Sequence, residues 1–186
     1  MSTSPDTRTQ VLDAFAAQLA TLGYAGVSLS AVAREAGIQK PSLYHHFPQG
    51  KESLYEAVAL RFVDDMEARI RAAVGSGGLE DRLRALGAVS AAHAATNGVS
   101  FEQRVYDALA QVGEQTRDRV SRRYVGGVLD PVTEVFAAAV ADGELTGEPA
   151  FLMNAFLHLM RATDLAAGAD EPARLVALFL DGARPR

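Results

Sequence analysis

The residues best suited to chemistry stand together between Gly37 and Lys51, a stretch that contains no acidic residue. Its polar side chains are hydrogen-bonding groups that are neutral or basic, and they include Gln39, Lys40, Ser42, Tyr44, His45, His46 and Lys51. Such groups donate hydrogen bonds to anionic oxygens and to the polar edges of other molecules. The stretch therefore indicates recognition of a polar, anionic partner.

Catalytic and metal-binding patterns are missing from the sequence. The adjacent pair His45 and His46 would project about 100° apart on a helix, whereas chelating histidines stand four residues apart. The chain has no cysteine, which excludes disulfides and thiolate metal sites. It also has no nucleophile elbow, phosphate-binding loop, dinucleotide fingerprint or calcium loop. We therefore expect no enzymatic activity, no metal and no cofactor.

The elements that must position these residues are helices. Alanine is abundant, runs of β-branched residues are missing, and apolar residues recur at three- and four-residue steps almost throughout. A first helix is predicted over 7–22 and ends at Gly23. Ser28 can cap a second, short helix, which Gly37 stops because glycine adopts a left-handed conformation without steric cost.

A long helix is predicted over 50–74, before the glycine-rich linker 75–78. Five further helices are predicted, over 79–96, 101–125, 131–142, 148–167 and 171–182. One break falls at Gly126-Gly127, although a kinked helix that continues through Pro131 fits nearly as well. The prediction is an all-α fold, with an N-terminal three-helix domain (1–50) joined by the long helix to a C-terminal helical domain (51–186).

Residues 28–47 have the pattern of two short helices joined by a tight turn, the helix-turn-helix. Pro41 suits the first turn of the second short helix, and Pro48 ends it. Because a recognition helix presents its N-terminal residues to base edges, the candidates for reading bases are Gln39, Lys40 and Ser42. Tyr44 and His45 lie one turn further along and suit contacts with backbone phosphates.

Lys51 adds an independent argument, because it stands in the first turn of the next helix. A cation there opposes the helix dipole by roughly 0.3–1 kcal/mol. A bound phosphate would reverse that sign, since it would meet both the free amide groups and the ammonium. Taken alone, Lys51 fits a solvated surface lysine. Beside the helix-turn-helix, we expect it to contact a phosphate.

The stretch from about 7 to 60 resembles the DNA-binding domain of the TetR family of transcriptional repressors. The residues that carry the resemblance are Phe15, Gly23-Tyr24, Ser28, Val32-Ala33, Glu35-Ala36-Gly37-Ile38, Leu43-Tyr44-His45-His46-Phe47-Pro48 and Lys51-Glu52-Ser53-Leu54. The resemblance implies phosphate contacts at Ser28, Ser42, Tyr44 and Lys51. It implies contacts with bases or nearby backbone at Gln39, Lys40 and His45.

Two positions depart from the family pattern. Pro41 stands where members often have glycine, which keeps the helix start sound but places a bulkier residue near DNA. Gly50 is one residue more than the common Pro-Ser-Lys-Glu turn has. It resembles a subgroup with a Pro-Gly-Gly-Lys turn, whose members are often drug-resistance regulators. The insertion bears on the reach of Lys51.

Beyond residue 75 the resemblance is general, to the ligand-binding and dimerisation domain of such regulators. It implies a four-helix bundle between two subunits, formed here by 131–142 and 148–167. The segment 151–160 is apolar nearly all round, and a helix that is apolar on every side needs a partner on every side. Candidates for an effector pocket are His93, Tyr106, Gln111, Tyr124, Phe136 and Asp164, although helical aromatic residues more often pack in a core.

The sequence therefore predicts a cytoplasmic homodimer that represses transcription at a palindromic double-stranded DNA operator and is released by a small-molecule effector. No apolar run approaches the ~20 residues of a membrane-spanning helix, and 1–6 lack a signal-peptide pattern. The net charge of −5, with balanced charges over 1–55, leaves one alternative open. That alternative is a helix-turn-helix interaction protein that binds no operator.

Overall fold

The structure is a computed structural model of the chain, and its described residues are 6–91, 101–161 and 171–185. Every regular element within these ranges is a helix, as the apolar periodicity predicts, so the all-α fold class is confirmed. The elements are α1 (Thr7–Gly26), α2 (Leu29–Glu35), α3 (Lys40–His46), α4 (Lys51–Val74), α5 (Leu79–Ala91), α6 (Phe101–Ala108), α7 (Glu114–Tyr124), α8 (Asp130–Ala141), α9 (Pro149–Met160) and α10 (Glu171–Ala183).

The described residues form two compact units. Unit 1 takes the described parts of 1–62 and 97–122, and unit 2 takes those of 63–96 and 123–186. Helix α6 belongs to unit 1 because it packs against α1. The functional boundary between residues 50 and 51 stays a prediction, since compact packing and function need not divide a chain at the same place.

The core of unit 1 is built from one apolar face of each of its N-terminal helices. On α1, Val11, Phe15 and Leu19 recur every four residues and are fully buried. Val32 of α2 and Leu43 of α3 are also fully buried. Burying a side chain of this size contributes roughly 1.5–3 kcal/mol. This packing holds α2 and α3 against α1 and leaves the outer face of α3 exposed.

Three phenylalanines form the centre of unit 2. The ring of Phe136 lies 5.6 Å from that of Phe156 and 5.7 Å from that of Phe179, and the last two lie 5.5 Å apart. Such tilted and edge-to-face pairs are favourable beyond their burial. Gly87 lets α5 approach α9, because a Cβ there would lie 3.0 Å from Sδ of Met160. The three phenylalanine rings thus join α8, α9 and α10.

The helix predicted over 101–125 is wrong as a single element. Helix α6 ends at Ala108, a 3-10 turn covers Leu109–Gln111, and Val112 is extended before α7 begins. The N–H of Gly113 donates to Oε1 of Glu52 at 3.0 Å instead of to a helical carbonyl. Glycine favours the break because it loses the most backbone entropy in a helix.

The break predicted at Gly126-Gly127 is also wrong, because the chain stays helical through the π-helical turn Val125–Leu129 and enters α8. The kinked continuous helix, the alternative left open by the sequence, is the one observed. By length and composition alone, the run Glu114–Ala141 could cross a membrane. Its apolar side chains Val128, Val132 and Phe136 are buried within unit 2, however, as in a core helix.

The remaining helix predictions agree with the structure apart from their ends. Gly23 leaves the helical region with φ 68°, as predicted, but one further turn continues α1 to Gly26. The helices predicted over 79–96 and 148–167 correspond to α5 and α9. Their last predicted residues lie outside the described ranges, as do His93 and Asp164 among the effector-pocket candidates.

Candidate nucleic-acid interface

The turn between α2 and α3 has the conformation that the helix-turn-helix pattern predicts. Gly37 adopts φ 68°, which a residue with a Cβ reaches only with strain. The N–H of Ile38 donates to the carbonyl of Ala33 at 2.9 Å, which satisfies one of the last carbonyls of α2. Val32 and Ala33 are buried where α2 meets α3. Helix α3 is therefore fixed to α2 through this turn and through its buried face.

The outer face of α3 carries the predicted DNA-contacting residues. Gln39 is the N-cap of α3, and its carbonyl accepts hydrogen bonds from the N–H of Ser42 at 3.0 Å and of Leu43 at 3.3 Å. Leu43 is the buried residue within the helix. The six predicted contact residues are all exposed, as is the neighbouring His46; the six are Gln39, Lys40, Pro41, Ser42, Tyr44 and His45. The structure thus brings all six together on one short solvent-facing element.

Ser28 stands at the N-cap of α2, but its hydroxyl makes no capping hydrogen bond. Its backbone N–H instead donates to Oε1 of Gln18 at 3.2 Å. The side-chain amide of Gln18 donates in turn to Glu35 at 3.2 Å. Gln18 thereby ties α1 to both ends of α2, a role that sequence reasoning missed because a glutamine on a helix has no distinctive pattern. The exposed Ser28 hydroxyl is left at the surface.

The inserted Gly50 is part of a tight turn between α3 and α4. It adopts φ 62°, and its N–H donates to the carbonyl of Phe47 at 2.8 Å. A Cβ at this position would lie 3.2 Å from the ring of Tyr44 and 3.3 Å from Cδ1 of Leu29. The extra residue is therefore accommodated by a conformation suited to glycine, and the side of Tyr44 packs directly on it.

Lys51, directly after this turn, is half-buried and held in place. Its Nζ donates to the carbonyl of Ala25 at 3.2 Å and lies 4.7 Å from the centre of the Tyr24 ring. The carbonyl belongs to the last turn of α1, where the helix dipole favours a cation. Burial lowers the pKa of Lys51 from its usual value. An ammonium has three donors, so it can bind an anion while it keeps this contact.

A second cation lies beside α3. The guanidinium of Arg8, in the first turn of α1, stands 5.4 Å from the ring centre of Phe47 at the end of α3. Arg8 is exposed, and a guanidinium suits phosphate contacts. Sequence reasoning did not single it out, because only the fold brings the start of α1 to the end of α3.

Glu56 of α4 pairs with an arginine of α7 within unit 1. The carboxylate of Glu56 accepts two hydrogen bonds from Arg119 of α7, at 2.5 and 2.6 Å. The hydrogen bond from Arg119 lowers the pKa of Glu56 more than burial raises it. The carboxylate of Glu56 is therefore neutralised by Arg119.

The described effector-pocket candidates are divided between the two units. Tyr106 is 69% exposed, and Gln111 is exposed as well, both in unit 1. Phe136 is fully buried in the aromatic cluster of unit 2, and Tyr124, also in unit 2, is half-buried. A groove of about 310 Å³ in unit 2 is lined instead by Thr146, Gly147, Phe151, Leu152, Ala155, Leu178, Phe179, Gly182 and Ala183. The pocket residues stay a prediction.

Residues 11–58 match the family model described as "Bacterial regulatory proteins, tetR family". The HTH-type transcriptional regulator LmrA of Bacillus subtilis is 39% identical over 66 residues, which are 36% of this chain and 33% of that protein. The HTH-type transcriptional repressor KstR2 of Rhodococcus jostii is 39% identical over 70 residues, 38% of this chain and 34% of that protein. These alignments span about a third of the relatives' length.

The likeness of fold extends over nearly the whole chain. The crystal structure of AibR in complex with isovaleryl coenzyme A and operator DNA matches 95% of this chain and 97% of that chain, with a TM-score of 0.73 and 23% identity. At this identity the match shows the fold. The family model covers the helix-turn-helix and the start of α4, where the exposed and positioned residues lie. Over residues 11–58, the chain is therefore similar to the tetR family of bacterial regulatory proteins.

Proposed function

We propose that the chain is a DNA-binding transcriptional regulator: a homodimer that represses at a palindromic operator and is released by a small-molecule effector. The observation that carries the proposal is the outer face of α3. Six predicted contact residues are exposed there on a helix held by its inner face, and Lys51 stands at the start of the next helix. This arrangement suits insertion of α3 into a major groove.

The contacts divide into two kinds. Gln39 and Lys40, at the start of α3, can read base edges, since glutamine pairs with adenine and lysine with guanine. We assign the phosphate contacts to Ser28, Ser42, Tyr44 and Lys51. His45 would contact either the DNA backbone or a base. Phosphate contacts position the protein and supply affinity, while base contacts supply specificity.

The homodimer is best supported by exposed apolar side chains of unit 2. Phe151 of α9 is 67% exposed and Leu178 of α10 is 62% exposed, and both line the groove of unit 2. On α8, by contrast, Val132, Val135 and Phe136 are buried. We therefore propose a two-fold interface on α9 and α10, in which α9 corresponds to the predicted helix 148–167 and α10 takes the place of the predicted helix 131–142. A two-fold axis matches a palindromic operator.

Release by an effector is supported by the match of residues 11–58 to the tetR family model and by the likeness of fold. A protein with this fold, AibR, has been crystallised with isovaleryl coenzyme A and operator DNA. For this chain we keep Tyr124 and Phe136 of unit 2 as the pocket candidates to test first. An effector can release DNA only if it binds the released form more tightly. We further propose that the protein acts in the cytoplasm and catalyses no reaction.

The proposal is tested by DNA binding as a function of salt. Duplexes of ~40 base pairs, enough for half-sites one or two turns apart, are enriched from a random pool on the purified protein. Lys51→Ala should weaken binding to all sequences and reduce the salt slope by about one. Gln39→Ala should change the preferred sequence instead. Arg84→Ala, on α5 of unit 2, is the matched control and should leave both properties unchanged.

Two outcomes would overturn the proposal. The first is no binding at micromolar protein, and the second is binding that does not respond to salt, since phosphate contacts release counterions. Either would favour the interaction protein that binds no operator.

A further inference from the structure

A fully buried tyrosine joins α4 to α6 within unit 1. Tyr55 is 0% exposed, and its hydroxyl donates to the carbonyl of Val105 at 2.7 Å. Val105 lies in the last turn of α6. Burial raises the pKa of Tyr55, and neighbouring Tyr24 adds to the shift. A buried hydroxyl without a partner costs about 1–3 kcal/mol, so this hydrogen bond fixes the ring relative to α6.

Tyr24 connects this ring to Lys51. The rings of Tyr24 and Tyr55 meet edge to face, with centres 5.4 Å apart and planes inclined at 74°. On Tyr24 lies the ammonium of Lys51, 4.7 Å from the ring centre. A cation on an aromatic face is stabilised by the ring quadrupole. An unbroken series of contacts thus runs from the carbonyl of Val105 to the ammonium of Lys51.

Two further contacts hold the same region. Nε of Arg104 donates to the carbonyl of Ala20 at 3.3 Å, near the end of α1. The N–H of Gly113, just before α7, donates to Glu52, the residue next to Lys51. The segment from α6 to the start of α7 therefore touches both the end of α1 and the first turn of α4. Lys51 bridges these same two places through its bond to Ala25.

We infer that Tyr24 is a positioning residue for the contact between Lys51 and a DNA phosphate, and that Tyr55 ties this position to α6. The inference rests on the proposed function and adds a defined route by which the position of α6 reaches the DNA-contacting surface. A displacement of α6 would move Tyr55, then the Tyr24 ring, and then the ammonium group of Lys51 that lies on this ring.

The experiment is a double-mutant cycle between Tyr24→Leu and Lys51→Ala. Affinity for a mixed-sequence duplex is measured across a salt series. Tyr24→Leu keeps apolar bulk but removes the ring face, and it should weaken binding about two- to fivefold and lower the salt slope. In the Lys51→Ala background it should have no further effect. Tyr24→Phe keeps the ring and should retain the wild-type slope.

Leu22→Ala is the control, because Leu22 lies near Tyr24 on α1, is 59% exposed and belongs to no proposed contact. It should change neither affinity nor slope. The inference is overturned if the cost of Tyr24→Leu adds fully to that of Lys51→Ala, or if the slope of Tyr24→Leu equals that of the wild type. Either result would mean that Tyr24 has a structural role alone and does not position Lys51.

A second measurement needs no DNA. Reductive methylation with isotope-labelled formaldehyde places methyl groups on Lys51, whose NMR signal is assigned by its loss in Lys51→Ala. The ring of Tyr24 should shift this signal, and Tyr24→Leu should abolish the shift. Tyr55→Phe keeps the ring contact but removes the bond to α6, so it should move the signal and lower the salt slope. An unmoved signal in both variants would overturn the inference, while absence of DNA binding alone would overturn the proposed function.

Discussion

Gly50 adopts a glycine conformation directly beside Tyr44, one of the predicted contact residues. Its φ of 62° and the space next to Tyr44 both require a residue without a Cβ. Gly50→Ala should lower the free energy of unfolding by about 1–2 kcal/mol for the conformation alone, with a further cost from crowding. Unfolding in urea measures this loss, and binding to a DNA duplex measures the displacement of Tyr44.

Gly37→Ala separates the two costs. Gly37 adopts nearly the same φ, 68°, but a Cβ there would meet nothing within 4 Å. It should show the conformational cost alone, and it should not disturb Tyr44. Equal loss in the two variants would show that crowding contributes nothing, and wild-type stability of Gly50→Ala would contradict the prediction altogether.

The sequence predicts single residues well where the reason is local. Gly37 and Pro41 have the predicted conformation and position because turn geometry and a fixed φ depend on the residue itself. The contacts of the Lys51 ammonium could not be predicted. Its partners are a backbone carbonyl and a ring more than 25 residues away in the chain, and a carbonyl leaves no signature in the sequence.

At the scale of elements, the glycine residues predict the helix break at the wrong place in the region of α7 and α8. The stretch that the apolar spacing predicts to be continuous is broken just before Gly113, whereas the chain stays helical through Gly126 and Gly127. The difference lies in tertiary contacts. Arg123 of unit 2 donates to Asp64 at 2.6 Å and to Glu67 of α4, and its guanidinium lies where a Cβ of Gly127 would be.

The π-helical turn can be tested with two neighbouring glycines. Gly126→Ala should raise the free energy of unfolding by about 0.5–1 kcal/mol, because alanine favours a helix and nothing lies within 4 Å of its Cβ. Gly127→Ala should gain the same backbone contribution but displace the Arg123 guanidinium. The lost ion pairs offset up to about 1 kcal/mol, so we expect no net gain in urea unfolding.

Arg123→Ala provides the control for this interpretation. With the guanidinium gone, Gly127→Ala should become as stabilising as Gly126→Ala. If Gly127→Ala stabilises the wild-type chain equally, Arg123 does not depend on the missing Cβ.

At the scale of the whole molecule, the fold class and the order of helices follow from apolar periodicity, which records burial along each helix. Which helix faces remain uncovered could not be predicted, because α9 is apolar nearly all round. The structure buries Leu152, Met153 and Phe156 and leaves Phe151 exposed. It also exposes Leu178 on α10, a helix that the sequence did not assign to the dimer.

The proposed α9 and α10 interface predicts the effect of a charge on this surface. Phe151→Glu and Leu178→Glu should each convert the dimer to a monomer at micromolar concentration. Each side chain occurs twice in a two-fold interface, and loss of one central aromatic contact costs roughly 2 kcal/mol or more. Sedimentation equilibrium measures the change.

Leu22→Glu is the matched control for this prediction, since Leu22 is 59% exposed on α1 of unit 1. It should leave the association state unchanged. Dimers that persist in both unit 2 variants would move the interface elsewhere. If monomers form, binding to a palindromic duplex should fall much more than binding to a single half-site, because only the dimer engages two half-sites at once.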